Sequence, residues 1–193
     1  SRALGSKNFE KAYKTFGNQI TLTFGSSLIF VLLGTYFCFP ILQLFGANGD
    51  IVAPATEYFH IIIYGVPFFA FAMMGNPIIR AVGQPKFAMY TMIIPAIANI
   101  LFDILFIKVF DWGMYGAGLA TTISYATSGL FVLGFFLSSK SSLSIYIKNF
   151  TLDLKIVKEI IALGGVTIIR QGTISLLIII LNYTLFKYGG EVA

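Results

Sequence analysis

The sequence predicts an all-α fold, a polytopic bundle of transmembrane helices. Of its 193 residues, 57% are hydrophobic and only 11% are charged, and the mean hydropathy is +0.85. Soluble domains carry about 25% charged residues. So little polar surface could not cover a water-soluble core. The composition therefore excludes a soluble enzyme, a disordered chain and a nucleic-acid-binding domain.

Five apolar stretches are each long enough to be a membrane span. A helix needs about 20 such residues to cross a hydrocarbon layer of roughly 30 Å. The predicted spans cover residues 17–45, 52–79, 87–109, 115–137 and 160–186. A transmembrane β-barrel would need strands of about 10 residues with alternating polarity. These runs are continuous and longer, so helices are favoured.

Polar connections separate the predicted spans. Residues 46–50, 80–86 and 111–113 contain the Gly, Pro, Asn and Asp that favour turns. The longest connection, residues 139–158, opens on a stretch rich in serine and lysine. We expect it to be the boundary between two structural units.

Lysine and arginine residues are concentrated on one side of this topology. If every run crosses, residues 1–16, 80–86 and 139–158 share a side and carry ten of the 13 Lys and Arg. Because cytoplasmic loops carry the excess of positive charge, these ranges are predicted to be cytoplasmic. The membrane would be the inner membrane of a prokaryote. The basic balance then reflects contact with anionic lipid and gives no reason to invoke nucleic acid.

The third span contains the main candidate site. Asp103 lies within this span. A charged residue inside a membrane costs about 2.5–3.5 kcal/mol on insertion scales, so such residues are usually functional. Pro95, Asn99 and Asp103 follow one another at intervals of four and share a helix face. Pro95 removes the N–H that would bond the Thr91 carbonyl and should kink the helix. In hydrocarbon that carbonyl needs a partner or a wet cavity.

The predicted hydrated face suits two kinds of chemistry. Carboxylate and amide oxygens bind hard cations, and a carboxyl group can also take up and release a proton. The alternative is a structural Asp103 that caps a neighbouring helix or binds a buried amide.

Other polar residues are weaker candidates. Thr121 can present a hydroxyl beside a ladder of small residues that we interpret as packing; the ladder is Gly116, Ala120, Ser124 and Ser128. Arg170, followed by Gln171, lies near the middle of the fifth span, where it could contact an anionic substrate group or pair with a carboxylate. Tyr64 could line a cavity, and a packing role is its alternative.

No pattern for enzyme chemistry occurs. The single Cys38 and the single His60 exclude an intrachain disulfide and a His-rich metal site. Nucleophile-elbow, zinc-helix and phosphate-loop motifs are absent from the sequence. We therefore predict no catalytic site, no cofactor and no ATP-driven pump within this chain.

Several segments resemble a known family. Residues 76–86, Asn-Pro-Ile-Ile-Arg-Ala-Val-Gly-Gln-Pro-Lys, resemble the connection between spans four and five of the multidrug and toxic compound extrusion (MATE) transporters. Residues 98–103 followed by 113–121 are similar to the family's fifth and sixth spans. Residues 1–5 resemble the loop after its second span. The opening of its seventh span is similar to Arg170-Gln171, Asn182 and Tyr188-Gly189-Gly190.

The resemblance implies a piece of a protein with twelve spans in two six-helix lobes. Residues 1–138 would be spans three to six of the first lobe. Residues 139–158 would be the cytoplasmic interlobe linker, and residues 159–193 the first span of the second lobe. Its partners would be membrane lipid, a small organic substrate and the remainder of its own chain.

The resemblance also implies an activity. The family exchanges Na⁺ or H⁺ for organic, often cationic, drugs by alternating access. One subgroup uses an Asp from span one with an Asn, an Asp and a Thr that Asn99, Asp103 and Thr121 match. The span-one Asp is not in this chain. Na⁺ at these residues is the one metal ion implied.

Two other functions stay open. A lipid-linked oligosaccharide flippase of the same superfamily would need several basic residues around its cavity, and Arg170 is the one available. In a non-transporting membrane scaffold, Asn99 and Asp103 would merely join helices.

Overall fold

The protein is mainly helical in the part of the chain that the computed structural model describes, residues 9–138, 141, 143, 150 and 152–189. The α-helices are α1 (Phe9–Tyr36), α2 (Cys38–Leu44), α3 (Val52–Ala81), α4 (Pro85–Asp103), α5 (Gly113–Leu137) and α6 (Leu154–Gly189). A 3₁₀ turn covers Gly49–Ile51 and a π-helical segment covers Ile104–Val109. These residues contain no strand, which confirms the predicted all-α class.

Five helical stretches of the described chain are long and apolar enough to cross a membrane. They are Glu10–Tyr36, Gly49–Ala81, Pro85–Val109, Gly113–Leu137 and Leu154–Leu185. Each coincides with one of the five predicted runs, so the polytopic bundle is confirmed.

The helices differ from the predicted runs in three places. The first run begins earlier and is interrupted at Phe37, because Pro40 has no N–H for the Tyr36 carbonyl. The third run ends as the π-helical segment. The fifth run corresponds to α6, which begins at Leu154, inside the range 139–158 given to the linker. Half of that linker range lies outside the described residues.

The predicted turns occur where the backbone requires unusual conformations. Positive φ angles occur at Gly46 (99°), Gly83 (86°), Asp111 (54°) and Gly113 (52°). Glycine adopts such angles without steric cost, and aspartate tolerates them better than most residues.

The main buried cluster lies at one end of the bundle. It joins the start of α1, the end of α3, the start of α4 and the end of α5 through Phe16, Ile79, Ala88, Val132 and Phe136. Because Arg80 and Lys86 flank the α3–α4 turn there, we call this the basic end.

Helix α6 is attached to the rest of the chain at both ends. At the basic end, Asn18 is 1% exposed and its Oδ1 accepts a 2.7 Å hydrogen bond from the Asp153 N–H. Lys11 Nζ lies 3.5 Å from Glu159 Oε2. At the other end, Asn182 Nδ2 donates to the Phe45 carbonyl at 3.0 Å. Most side chains of α6 are exposed between these contacts.

Small residues allow α3 and α5 to pack closely. A Cβ added at Gly65 would lie 3.0 Å from Tyr125, and one at Gly129 would lie 3.1 Å from the Phe68 carbonyl oxygen. A Cβ at Gly75 would overlap the Val132 side chain. Such close approach is the usual function of small residues between membrane helices.

We expect Gly75→Ala to lower the stability of the full-length protein by about 1–3 kcal/mol, because overpacking forces side chains and backbone to shift. Thermal unfolding of the purified protein in detergent measures this change.

Gly134→Ala is the matched control, because a Cβ at Gly134 meets no atom within 4 Å. Val132→Ala should restore stability to the Gly75→Ala variant. Unchanged unfolding of Gly75→Ala alone would contradict the assigned contact.

Candidate functional site

A cavity of about 670 Å³ lies between α3, α4 and α5. Each helix contributes a stripe of residues at helical spacing. The stripes are Tyr58, Phe69, Ala72, Met73, Asn76, Pro77 and Arg80 of α3, Thr91, Met92, Pro95, Ala96 and Asn99 of α4, and Thr121, Ser124, Tyr125 and Ser128 of α5.

The cavity wall combines aromatic and polar surface. The rings of Phe69 and Tyr125 lie 4.5 Å apart, and Tyr58 lines the same space. Among the described lining residues Arg80 carries the formal charge, with Nη2 3.7 Å from Met92 Sδ. The wall therefore offers flat apolar surface, hydroxyl and amide groups, and one cation at the basic end.

Thr91 connects the three helices that form the cavity. It is 1% exposed. Asn76 Nδ2 donates to Thr91 Oγ1 at 2.9 Å and to the Ala88 carbonyl at 2.7 Å. The Thr91 carbonyl, which Pro95 deprives of its helical partner, accepts a 2.8 Å hydrogen bond from Ser128 Oγ. The expected need of this carbonyl for another partner is thus met by a side chain of α5.

The structure brings together three of the predicted site residues. Pro95, Asn99 and Thr121 all line the cavity. Asp103 lies one helical turn beyond Asn99, partly buried, as the last residue of α4 and outside the lining. Among the described residues it has no hydrogen-bond or ion-pair partner. Its role in ion binding stays a prediction.

The remaining predicted residues lie elsewhere. Tyr64 is 59% exposed and does not line the cavity. Arg170 and Gln171 are exposed on α6, and neither lines it. Their proposed contacts with substrate also stay predictions.

The polar side chains at the Asn99 level of the cavity differ in their hydrogen bonding. Thr121 Oγ1 donates to the Ala117 carbonyl at 2.9 Å, so its lone pairs remain available. Asn99 Nδ2 and Ser124 Oγ are buried and have no partner among the described residues. Among the described residues, no three or more His, Cys, Asp or Glu side chains lie together in a group that could hold a metal ion. The polar groups at this level of the cavity are therefore amides and hydroxyls, and the Asp103 carboxyl group lies one helical turn beyond them.

The π-helical segment directly after Asp103 was not predicted. Such wider turns often lie at functional sites. Stacked rings pack around it, with centroids 5.5 Å apart for Phe102 and Phe106 and 5.3 Å for Phe106 and Trp112. Hydropathy gives no signal for this change in helix type. The aromatic residues at intervals of four, Phe102, Phe106 and Phe110, were the visible hint.

Comparison with known proteins identifies the family. The MatE family model matches residues 1–105. The chain belongs to the MATE family. It is 27% identical over 189 residues to the multidrug export protein MepA of Staphylococcus aureus (strain bovine RF122 / ET3-1), covering 98% of this chain and 42% of MepA. It is 28% identical over 166 residues to the probable multidrug resistance protein YoeA of Bacillus subtilis (strain 168), covering 84% and 36%.

Solved MATE structures share the fold. The inward-facing conformation of a multidrug resistance MATE family transporter of the MOP superfamily matches with a TM-score of 0.89 and 26% identity, over 100% of this chain and 44% of that one. MATE in the bent conformation matches with a TM-score of 0.84 and 25% identity, over 98% and 43%. The resemblance stated from the sequence is therefore confirmed. MATE proteins are multi-pass membrane transporters, not enzymes, and need no cofactor.

The chain spans less than half the length of the MATE relatives it matches. The activity of the whole protein is therefore taken up as a proposal below.

We expect Ser128→Ala to lower stability by about 1–3 kcal/mol, the usual cost of leaving a buried polar group without its partner. The reason is that the Thr91 carbonyl would lose its donor. Thermal unfolding of the full-length protein in detergent measures the loss.

A double-mutant cycle with Pro95→Ala tests the cause. Alanine at position 95 supplies the N–H that proline lacks, so Ser128→Ala should cost much less in that background. Thr127→Ala is the control on the same helix, because Thr127 Oγ1 donates only to the Ile123 carbonyl. Additive effects of Ser128→Ala and Pro95→Ala would contradict this assignment.

Proposed function

We propose that the full-length protein is a secondary active efflux transporter that exchanges Na⁺ or H⁺ for organic, mainly cationic, drugs by alternating access. The observation that carries the proposal is the cavity lined by Pro95, Asn99 and Thr121 and by aromatic rings. The names of MepA and YoeA, which describe multidrug export and multidrug resistance, support the same activity.

The proposed coupling site consists of Asp103, Asn99 and Thr121. Asp103 supplies the negative charge, and its carboxylate has no competing cation among the described residues. Thr121 offers oxygen lone pairs because its proton is engaged by the Ala117 carbonyl. A bound ion changes the balance between outward-open and inward-open states only if it binds one of them better. Pro95 is the proposed bending point of α4.

The proposed substrate surface is the aromatic side of the cavity. Tyr58, Phe69 and Tyr125 offer ring faces to a flat cation, and cation–π contacts contribute about 0.5–2 kcal/mol each. The proposal for Tyr64, Arg170 and Gln171 is that they line the substrate cavity or take part in gating in the complete protein, since all three are exposed here.

The proposed arrangement in the membrane follows the charge distribution. Residues 1–138 would belong to the first lobe and residues 159–193 to the second, with residues 1–16, 80–86 and 139–158 in the cytoplasm of a prokaryote. Contacts at the basic end support this arrangement, because the Asn18–Asp153 hydrogen bond and the Lys11–Glu159 ion pair hold the starts of α1 and α6 together, next to the two predicted cytoplasmic segments.

The flippase alternative finds little support. A pyrophosphate needs several cations, and Arg80 is the one formal charge among the described lining residues. The scaffold alternative predicts a different effect of replacing Asp103. In a scaffold the substitution would reduce expression of the protein, whereas in a transporter it would reduce flux.

We expect Asp103→Asn in the full-length protein to abolish ion-coupled dye efflux and to leave membrane insertion intact. The amide keeps the shape of the side chain and removes the charge that would attract the ion. Efflux from energised vesicles, with Na⁺ and pH varied separately, measures the effect.

Asp111→Asn is the control, because Asp111 lies in a turn at φ 54°, a conformation that asparagine also adopts. It should transport as the wild type does. Wild-type efflux by Asp103→Asn would defeat the coupling assignment, and loss of the protein from the membrane would favour the scaffold.

A further inference from the structure

Ser124 is an exception among the hydroxyl residues of α5. The other Ser and Thr side chains from 121 to 128 each donate to a carbonyl: Thr121 to Ala117, Thr122 to Ile61, Thr127 to Ile123 and Ser128 to Thr91. Ser124 lies on the same helix and is only 6% exposed. Its Oγ is buried without a partner among the described residues. A buried hydroxyl without a hydrogen bond is unfavourable, so this one is available for a bound molecule.

A second unpartnered group lies on the facing helix. Asn99 Nδ2 is buried and donates to no described residue. Both Asn99 and Ser124 line the cavity between α3, α4 and α5. An amide nitrogen is purely a donor, and a serine hydroxyl can donate as well. The two side chains therefore offer the cavity free donors from opposite helices, in addition to the aromatic wall.

We propose that Ser124, with Asn99, forms a subsite that recognises an uncharged oxygen atom of the transported molecule, such as a carbonyl, ester or ether oxygen. The inference rests on the proposed transport function and adds a substrate class to it. Flat cations that carry such an oxygen would bind through the rings and these donors together. Flat cations that lack one would bind through the rings alone.

The selectivity follows from the cost of unpaired groups. A site built to hydrogen-bond a ligand discriminates against an analogue without the bonding atom, because its own buried polar groups then stay unpaired. A single neutral hydrogen bond corresponds to about a three- to tenfold change in affinity. Ser124 is thus a specificity-determining residue, distinct from the charge on Asp103.

The test compares two fluorescent cations at equilibrium with the purified full-length protein in detergent. Rhodamine 6G carries ester and ether oxygens, whereas ethidium carries no oxygen. Ser124→Ala should weaken rhodamine 6G binding about three- to tenfold and leave ethidium binding within about twofold, as measured by fluorescence polarisation at fixed Na⁺ and pH. Thr127→Ala is the control, because its hydroxyl serves only its own helix, and both dyes should bind it as they bind the wild type.

Ser124→Cys is the second variant, since it fills the space of the hydroxyl with a slightly larger thiol, which is only a weak donor. It should show the same selective loss even if Ser124→Ala folds poorly. Equal weakening of both dyes, or no change in either, would mean that Ser124 serves packing or holds a water molecule, and would overturn the subsite alone. Failure of the wild type to bind either dye would overturn the proposed function and this inference together.

Discussion

The backbone carbonyl of Thr91 determines how three helices meet. Pro95 removes its helical donor, and in an apolar layer no water is available to replace it. Ser128 of α5 supplies the replacement, while the Thr91 hydroxyl binds Asn76 of α3. Because Ser128 Oγ must stay within hydrogen-bonding distance of this carbonyl, the contact fixes the register of α5 against α4. The cavity between α3, α4 and α5 depends on that register.

Sequence patterns predicted the helices and part of the site, because both rest on local properties. Hydropathy reports the length of a span, and a spacing of four places Pro95 and Asn99 on one face. Neither property says how α4 and α5 are rotated about their axes. The sequence therefore treated Ser128 and Ser124 as packing, and did not predict that Asp103 stands at the start of a π-helical segment, outside the cavity lining.

The hydroxyl groups that line the cavity differ in whether their hydrogen atoms already have a hydrogen-bond acceptor. Thr121 and Ser128 have committed theirs to carbonyls, one on its own helix and one on α4. Thr121 keeps only its oxygen lone pairs free and Ser128 links α5 to α4, whereas Ser124 keeps its donor. Identical chemical groups on one helical face thus acquire different roles from the backbone atoms within reach, which composition and spacing do not report.

The absence of space at Gly75 restricts how this protein can evolve. Val132 occupies the place where a side chain at position 75 would lie. A lineage can therefore acquire a larger residue at 75 only after position 132 has become smaller, and the reverse order passes through a poorly folded ancestor. Substitutions at the two positions therefore depend on one another, although the positions lie 57 apart in the sequence.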